Sequence, residues 1–197
     1  MIDLSKKLSN LNHKITLSNE ARKDLLWWYC CLTGFNGTTY FPKEWKIETA
    51  EIVHTDASDI ACGAVYRNKW AIIEYVGTYA FAKEKTIAYR EMLAMVMSLA
   101  TFGTYLKNSQ VVMNVDNEAV RLSLIKGYSK DPGLMSLIRA TYFYTTIYNI
   151  DYRVIRVSSV DNIAADAVSR KDWSRLFNYL PYLEKNPVTC PNVILDF

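Results

Sequence analysis

The hydrophobic pattern changes period several times along this chain, and each change marks an element. Residues 51–58 (EIVHTDAS), 61–68 (ACGAVYRN) and 69–76 (KWAIIEYV) are short runs rich in β-branched and aromatic residues. They predict three consecutive strands, with Arg67-Asn68-Lys69 as a hairpin turn between the last two. From Thr86 to Asn108 the chain is apolar around most of a helical circumference, which predicts one long helix covered on more than one side. QVVMNVD (110–116) is a continuous apolar run ending in a carboxylate, as expected of a strand at the centre of a sheet.

NEAVRLSLIKG predicts a short helix closed by Gly127. The next helix starts at DPG, with Asp131 as N-cap and Pro132 at the first helical position. Leu134, Leu137, Ile138, Thr141, Thr145 and Tyr148 then fall at helical spacing. IDYRVIRVSS predicts a fifth strand, and NIAADAVSRKDWSRLFNYL a final helix. Upstream, LSNEARKDLLWWYCCL predicts a helix with Ser18 as N-cap and Glu20 in its first turn, ending near Gly34. GFNGTTYFP follows it with an Asn-Gly turn and a proline stop.

The element order is β-β-β-α-β-α-α-β-α. Three strands joined by short turns form an antiparallel meander, and the later strands must join it by crossovers. The expected fold class is α/β: a five-stranded mixed sheet with helices on both faces. Residues 1–48 form a helical appendage, 49–180 the main domain, and 181–197, with two prolines, a loose or externally docked tail.

Composition narrows this only a little. The chain has 197 residues, half of them hydrophobic, enough for one domain with a sizeable core. A net charge of +3 permits a nucleic-acid partner without demanding one. The four cysteines (30, 31, 62, 190) form no C-x-x-C pair, so neither a zinc site nor a disulfide framework is expected. The longest apolar run is too short to cross a bilayer. The expected setting is intracellular, cytoplasmic or nuclear, with no membrane partner.

Four acids stand at telling places: Asp56 near the end of the first strand, Glu91 inside the long helix, Asp116 at the end of the fourth strand, Asp166 near the start of the last helix. Taken singly, each has an ordinary reading as a cap, an ion-pair partner or a complement to a helix dipole. Taken together, the topology lets them converge. Converging carboxylates repel unless divalent cations neutralise them. Ligands that are all oxygen point to Mg²⁺ or Mn²⁺, and two such ions roughly 4 Å apart serve in-line attack on a phosphodiester.

The local words carry a family likeness. HTDASDIACGAVY, TIAYREMLAMVMSLA, VVMNVDNEAV and NIAADAVSR resemble the four motifs of ribonuclease H, and most closely those of the domain that follows reverse transcriptase in retroelements. LSNEARKDLLWWYCCLTGFNG resembles the segment joining polymerase thumb to ribonuclease H in DIRS-like, tyrosine-recombinase retrotransposons. The likeness spans roughly residues 17 to 175 and implies a ribonuclease H-like fold.

It also implies Mg²⁺-dependent hydrolysis of the RNA strand of an RNA·DNA hybrid, with Mn²⁺ as a substitute and a polymerase domain as partner in cis or trans. By carry-over, Asp56 bridges two ions, Asp166 shares one of them, and Glu91 and Asp116 hold the other. Ser58, Tyr89, Asn117, Asn162 and Arg170, at motif positions, are the implied substrate contacts. Two departures stand out. Ala88 occupies a place where relatives often carry asparagine, and RVSSVDN lacks the loop histidine that cellular and retroviral relatives have; His13 and His54 are the two histidines of the chain.

Other candidates rest on less. Lys83, Lys85, Arg121, Lys126 and Lys130 flank the site in sequence and are candidate phosphate contacts or simply solvated charge. Trp27-Trp28 reads as packing rather than a stacking platform. Ser58 is not read as a nucleophile, because no histidine is placed to activate it. Competing readings are a catalytically silent docking module on the same fold and a different two-metal nuclease such as an integrase or resolvase; the latter usually shows three acids and lacks the NIAADAVSR word.

Overall fold

A computed structural model describes residues 14, 16–34, 44–158 and 160–195. His13 and the GFNGTTYFP turn beyond Gly34 lie outside the described residues. The elements are α1 (Asn19–Gly34), β1 (Glu51–Ala57), β2 (Ala61–Tyr66), β3 (Lys69–Glu74), α2 (Ile87–Phe102), β4 (Gln110–Val115), α3 (Glu118–Lys126), α4 (Pro132–Tyr148), β5 (Asp151–Arg156), α5 (Ile163–Ser169) and α6 (Trp173–Tyr179), with a 3₁₀ stretch at Gly77–Glu84 before α2. The sheet runs β3-β2-β1-β4-β5. β1 pairs antiparallel with β2 and parallel with β4, and β5 runs parallel to β4, so the sheet is mixed as expected.

Every residue of β2 is buried because both of its faces are covered. Cys62, Ala64 and Tyr66 enter the main core under α2 and α4. Val65 and Trp70 enter a second, smaller core under Ala164, Ala167 and Val168 of α5 and Leu176 of α6. The alternation of a strand thus splits the apolar residues between two layers. Gly63 sits where the second layer comes closest: a Cβ there would lie 2.6 Å from the Ser169 backbone nitrogen and 2.8 Å from the Ala165 carbonyl oxygen. Only a glycine lets α5 settle onto the β1–β2 pair at that depth.

Two helix boundaries differ from the sequence expectation. The run from Thr86 to Asn108 is helical only to Phe102. Gly103 gives way there to the Tyr148 ring, which occupies the space a side chain would need. The next residues turn back to bury Leu106, and Asn108, at φ 59°, donates its N–H to the Tyr148 carbonyl. NIAADAVSRKDWSRLFNYL is two helices, not one. Lys171 takes a left-handed φ of 60°, and Asp172 caps the new helix by accepting the Arg175 N–H at 3.0 Å. The break turns Trp173 and Phe177 onto Trp70, an aromatic gain that one straight helix would forgo.

The appendage and the tail both pack on the domain. Arg139 of α4, almost fully buried, pairs with Glu20 and Asp24 of α1, and Trp27 Nε1 donates to the Arg139 carbonyl at 2.7 Å. Trp27 packs against the core while Trp28 meets it edge-on, half exposed, in accord with a packing role for this pair. In the tail, Val188 donates its N–H to the Trp70 carbonyl, and Val193 and Ile194 donate theirs to the hydroxyls of Tyr79 and Tyr144.

The contact at Gly63 gives a direct test. Gly63→Ala is expected to lower unfolding free energy by about 1–3 kcal/mol, the usual cost of forcing atoms into a filled interface. Urea denaturation measures it, and an unchanged midpoint would mean that α5 does not lie this close.

Candidate metal centre

β1 and β4 run parallel with His54 opposite Asn114. Carried two residues further, that register sets Asp56, the penultimate residue of β1, beside Asp116, the first residue after β4. The third acid arrives from the other face of the sheet. Glu91 lies on the second turn of α2, which Thr86 starts by accepting the Tyr89 N–H. Glu91 Oε1 accepts the Ala57 N–H at 3.3 Å, pinning the helix to the end of β1. Oxygens of Asp56, Glu91 and Asp116 all lie within 4.8 Å of one another.

Burial makes this cluster expensive. Desolvation pushes the Glu91 carboxyl up to about 9, helped by the neighbouring charges of Asp56 and Asp116 and resisted by the Ala57 N–H. Its Oε2 atom is buried without a donor, and a side-chain contact with the Asp116 carboxyl raises Glu91 further. Asp56 is raised to about 6, again chiefly by desolvation, against the pull of a hydrogen bond from Ser169. No ion pair reaches Asp56 or Glu91 among the described residues. An all-oxygen set with an undonated buried oxygen and uncompensated repulsion fits a hard divalent cation.

Asp166 is placed differently. It lies on α5, close enough to Asp56 to raise it electrostatically, but outside the group of three. Its Oδ1 accepts Arg170 Nε at 2.6 Å and its Oδ2 accepts Arg175 Nη1 at 2.5 Å. The structure therefore closes three of the four sequence-predicted acids into one cluster and holds the fourth beside it between two arginines.

The remaining candidates divide by what they touch. Ser58 is buried; its hydroxyl donates to the Ser169 carbonyl at 2.7 Å and accepts the Ile60 and Ala61 N–H groups. Asn162 is 1% exposed and donates to the Thr55 carbonyl at 2.8 Å, tying the start of α5 to β1. Asn117 caps α3 by accepting the Ala119 and Val120 N–H groups. Tyr89 is buried against Phe81, with Lys85 over its ring. Ala88 is half buried against the main core. Arg121 is occupied by Glu118 on its own helix. His54 lies 3.4 Å from the Asn114 amide, and burial holds its imidazole below the ordinary value.

Sequence reasoning missed three participants. Ser169 donates to Asp56 Oδ2 at 2.6 Å, and its only sequence signal is that it stands inside the NIAADAVSR word. Arg175 reaches Asp166 across the Lys171 break, a contact that a single straight helix would not suggest. Gly63 looks like any glycine in a strand until the helix above it is known.

The raised acids set a pH dependence whose sign follows from linkage. When an acid's folded pKa exceeds its unfolded value, near 4, the folded state holds the extra proton, so stability falls as pH rises between the two. Metal-free protein is expected to melt at steadily lower temperature as pH rises from 5 to 9, through the ranges of Asp56 (about 6) and Glu91 (about 9). Glu91→Gln should flatten the upper half of that profile. Thermal melts in EDTA check both, and a flat wild-type profile would rule out a repulsive buried cluster.

Comparison with known proteins places this geometry. Residues 46–140 match the model of the RNase H-like domain found in reverse transcriptase. No curated protein matches significantly. Among solved structures, RNase H1 from the halophilic archaeon Halobacterium salinarum NRC-1 is 19% identical, covering 62% of this chain and 98% of that one, with a TM-score of 0.48. LC11-RNase H1, solved in complex with an RNA/DNA hybrid, is 18% identical over 62% of this chain and 97% of its own, with a TM-score of 0.49. The N-terminal RNase H domain of rv2228c from Mycobacterium tuberculosis is 12% identical over 65% and 96%, with a TM-score of 0.47. The family match, the strand order β3-β2-β1-β4-β5 and the acids at the ends of the two central strands agree: residues 46–140 form an RNase H-like domain of the kind found in reverse transcriptase.

Proposed function

We propose that this domain is an endoribonuclease that cuts the RNA strand of RNA·DNA hybrids with the help of two Mg²⁺ ions, Mn²⁺ serving as substitute. The observation that carries the proposal is the convergence of Asp56, Glu91 and Asp116 within 4.8 Å on buried ground. Asp56 would be shared between the ions, Glu91 and Asp116 would hold one, and Asp166 would join Asp56 on the other. Ions so held would supply activation of the attacking water and stabilisation of the leaving oxygen.

The chain's own residues do the rest. Glu91, pinned by the Ala57 N–H, and Asp56, pinned by Ser169, keep fixed oxygens at the site. Arg170 and Arg175 lie beside it with more than a third of each side chain exposed, suited to phosphates of the incoming hybrid. Choice of the RNA strand would rest on its 2′-hydroxyls.

The functional unit we propose is residues 49–180, with 1–48 as a connecting segment and 181–197 as a tail. It would work with a reverse transcriptase polymerase domain, in cis or in trans, in the cytoplasm or nucleus. No helix among the described residues is long and apolar enough to cross a membrane.

One observation favours a second reading, a silent docking module: both oxygens of Asp166 are taken by arginines. Cleavage of an end-labelled RNA·DNA hybrid in Mg²⁺ and Mn²⁺ separates the two, beside single-stranded RNA and duplex DNA. Asp116→Asn is expected to cut the rate by roughly a hundredfold or more, since a lost ligand removes several kcal/mol of charge stabilisation and about 1.4 kcal/mol is tenfold. Hybrid bound but uncut by the wild type in either metal would favour the docking module.

A further inference from the structure

Ser169 is fully buried at the last turn of α5, where a helical serine ordinarily returns its hydroxyl to a carbonyl one turn back. The Asp166 carbonyl is available for that purpose at 3.0 Å. The shorter contact, at 2.6 Å, instead runs out of the helix to Asp56 Oδ2, and a hydroxyl has one proton to give. A hydrogen bond to a carboxylate is the stronger of the two, so the proton belongs to Asp56.

Ser169 is itself held from two sides, by Gly63 and by Ser58. Its backbone presses on Gly63, the strand partner of Asp56. Its carbonyl accepts the Ser58 hydroxyl at 2.7 Å. Ser58 in turn is fixed by Arg90, whose Nη1 donates to the Ser58 carbonyl at 2.8 Å. Among the described residues no protein group donates to the other oxygen of Asp56, Oδ1.

We infer that Ser169 is a positioning residue for the metal centre: its hydroxyl fixes the plane of the Asp56 carboxylate, committing Oδ2 to the protein and leaving Oδ1 to a divalent cation. The inference rests on the metal-centre reading above and deepens it. It also ties Asp56 to the helix that carries Asp166, so the two acids move as one piece.

Isothermal titration of Mn²⁺ into the full chain tests it, with melting temperature in EDTA as a second readout. Ser169→Ala is expected to weaken Mn²⁺ binding about tenfold, the size of effect of one charge-assisted hydrogen bond, while the metal-free protein melts within a few degrees of wild type. Ser169→Thr, which keeps the hydroxyl, should recover most of the affinity. Ser98→Ala removes a buried hydroxyl that serves only the Met95 carbonyl of α2, and should leave Mn²⁺ affinity unchanged.

Wild-type affinity in Ser169→Ala, with Asp56→Asn weakened, would overturn the role of Ser169 and leave the metal centre standing. Wild-type affinity in Asp56→Asn, or no Mn²⁺ bound by the wild type, would overturn both. A Ser169→Thr protein that folds normally by its melting temperature yet binds no better than the alanine variant would also overturn the role.

Discussion

The close approach of α5 to the antiparallel β1–β2 pair is the constraint on which the rest of this structure depends. It exists because position 63 has no side chain, and it is paid for by burial on the second face of the sheet. Remove that contact and Val65 and Trp70 lose their cover, Asn162 lets go of the Thr55 carbonyl, and Ser169 no longer reaches Asp56. The main core under α2 and α4 would survive, because its residues point the other way. Packing on the main-core face delivers Glu91, while packing on the other face holds Asp56.

The centre is correspondingly a product of opposed faces. Asp56 is steadied by α5 and Glu91 is delivered by α2, and the two meet at the C-terminal end of β1. The repulsion they accumulate there is the opposite of what a stability-driven sequence would choose. Elsewhere the chain balances buried charge with care, as Arg139 shows by drawing two carboxylates from α1. That contrast is the reason the acidic cluster supports the proposed metal centre.

Much of this was legible in the sequence, and for physical reasons. Strands announce themselves by continuous apolar runs between turn residues, and acids at their ends are conspicuous because a buried run rarely closes on charge. The order of elements then restricts which strands can neighbour each other, and Asp56 beside Asp116 follows. What could not be read were quantities set by contact between distant segments. Gly103 looked tolerable in a long apolar helix because nothing in the local pattern reveals that the Tyr148 ring occupies its side-chain space. Lys171 gave no hint of a left-handed turn, since the gain that drives it comes from Trp70, a hundred residues upstream. Arg175 reaches Asp166 only because of that turn and was hidden with it, whereas Arg170, one helical turn from Asp166, was in view.

The division of labour between the two faces has a bearing on the order in which a ribosome delivers the chain. Asp56, Glu91 and Asp116 are all synthesised by residue 116, but Asn162, Asp166 and Ser169, which tie α5 over the first of them, come some fifty residues later. A nascent or truncated copy can thus own three acids in a half-built sheet without the helix that orders Asp56. The acids and the hydrogen bond that orders the first of them thus come from separate stretches of the chain, and a copy that stops short of α5 has the cluster without the Ser169 contact.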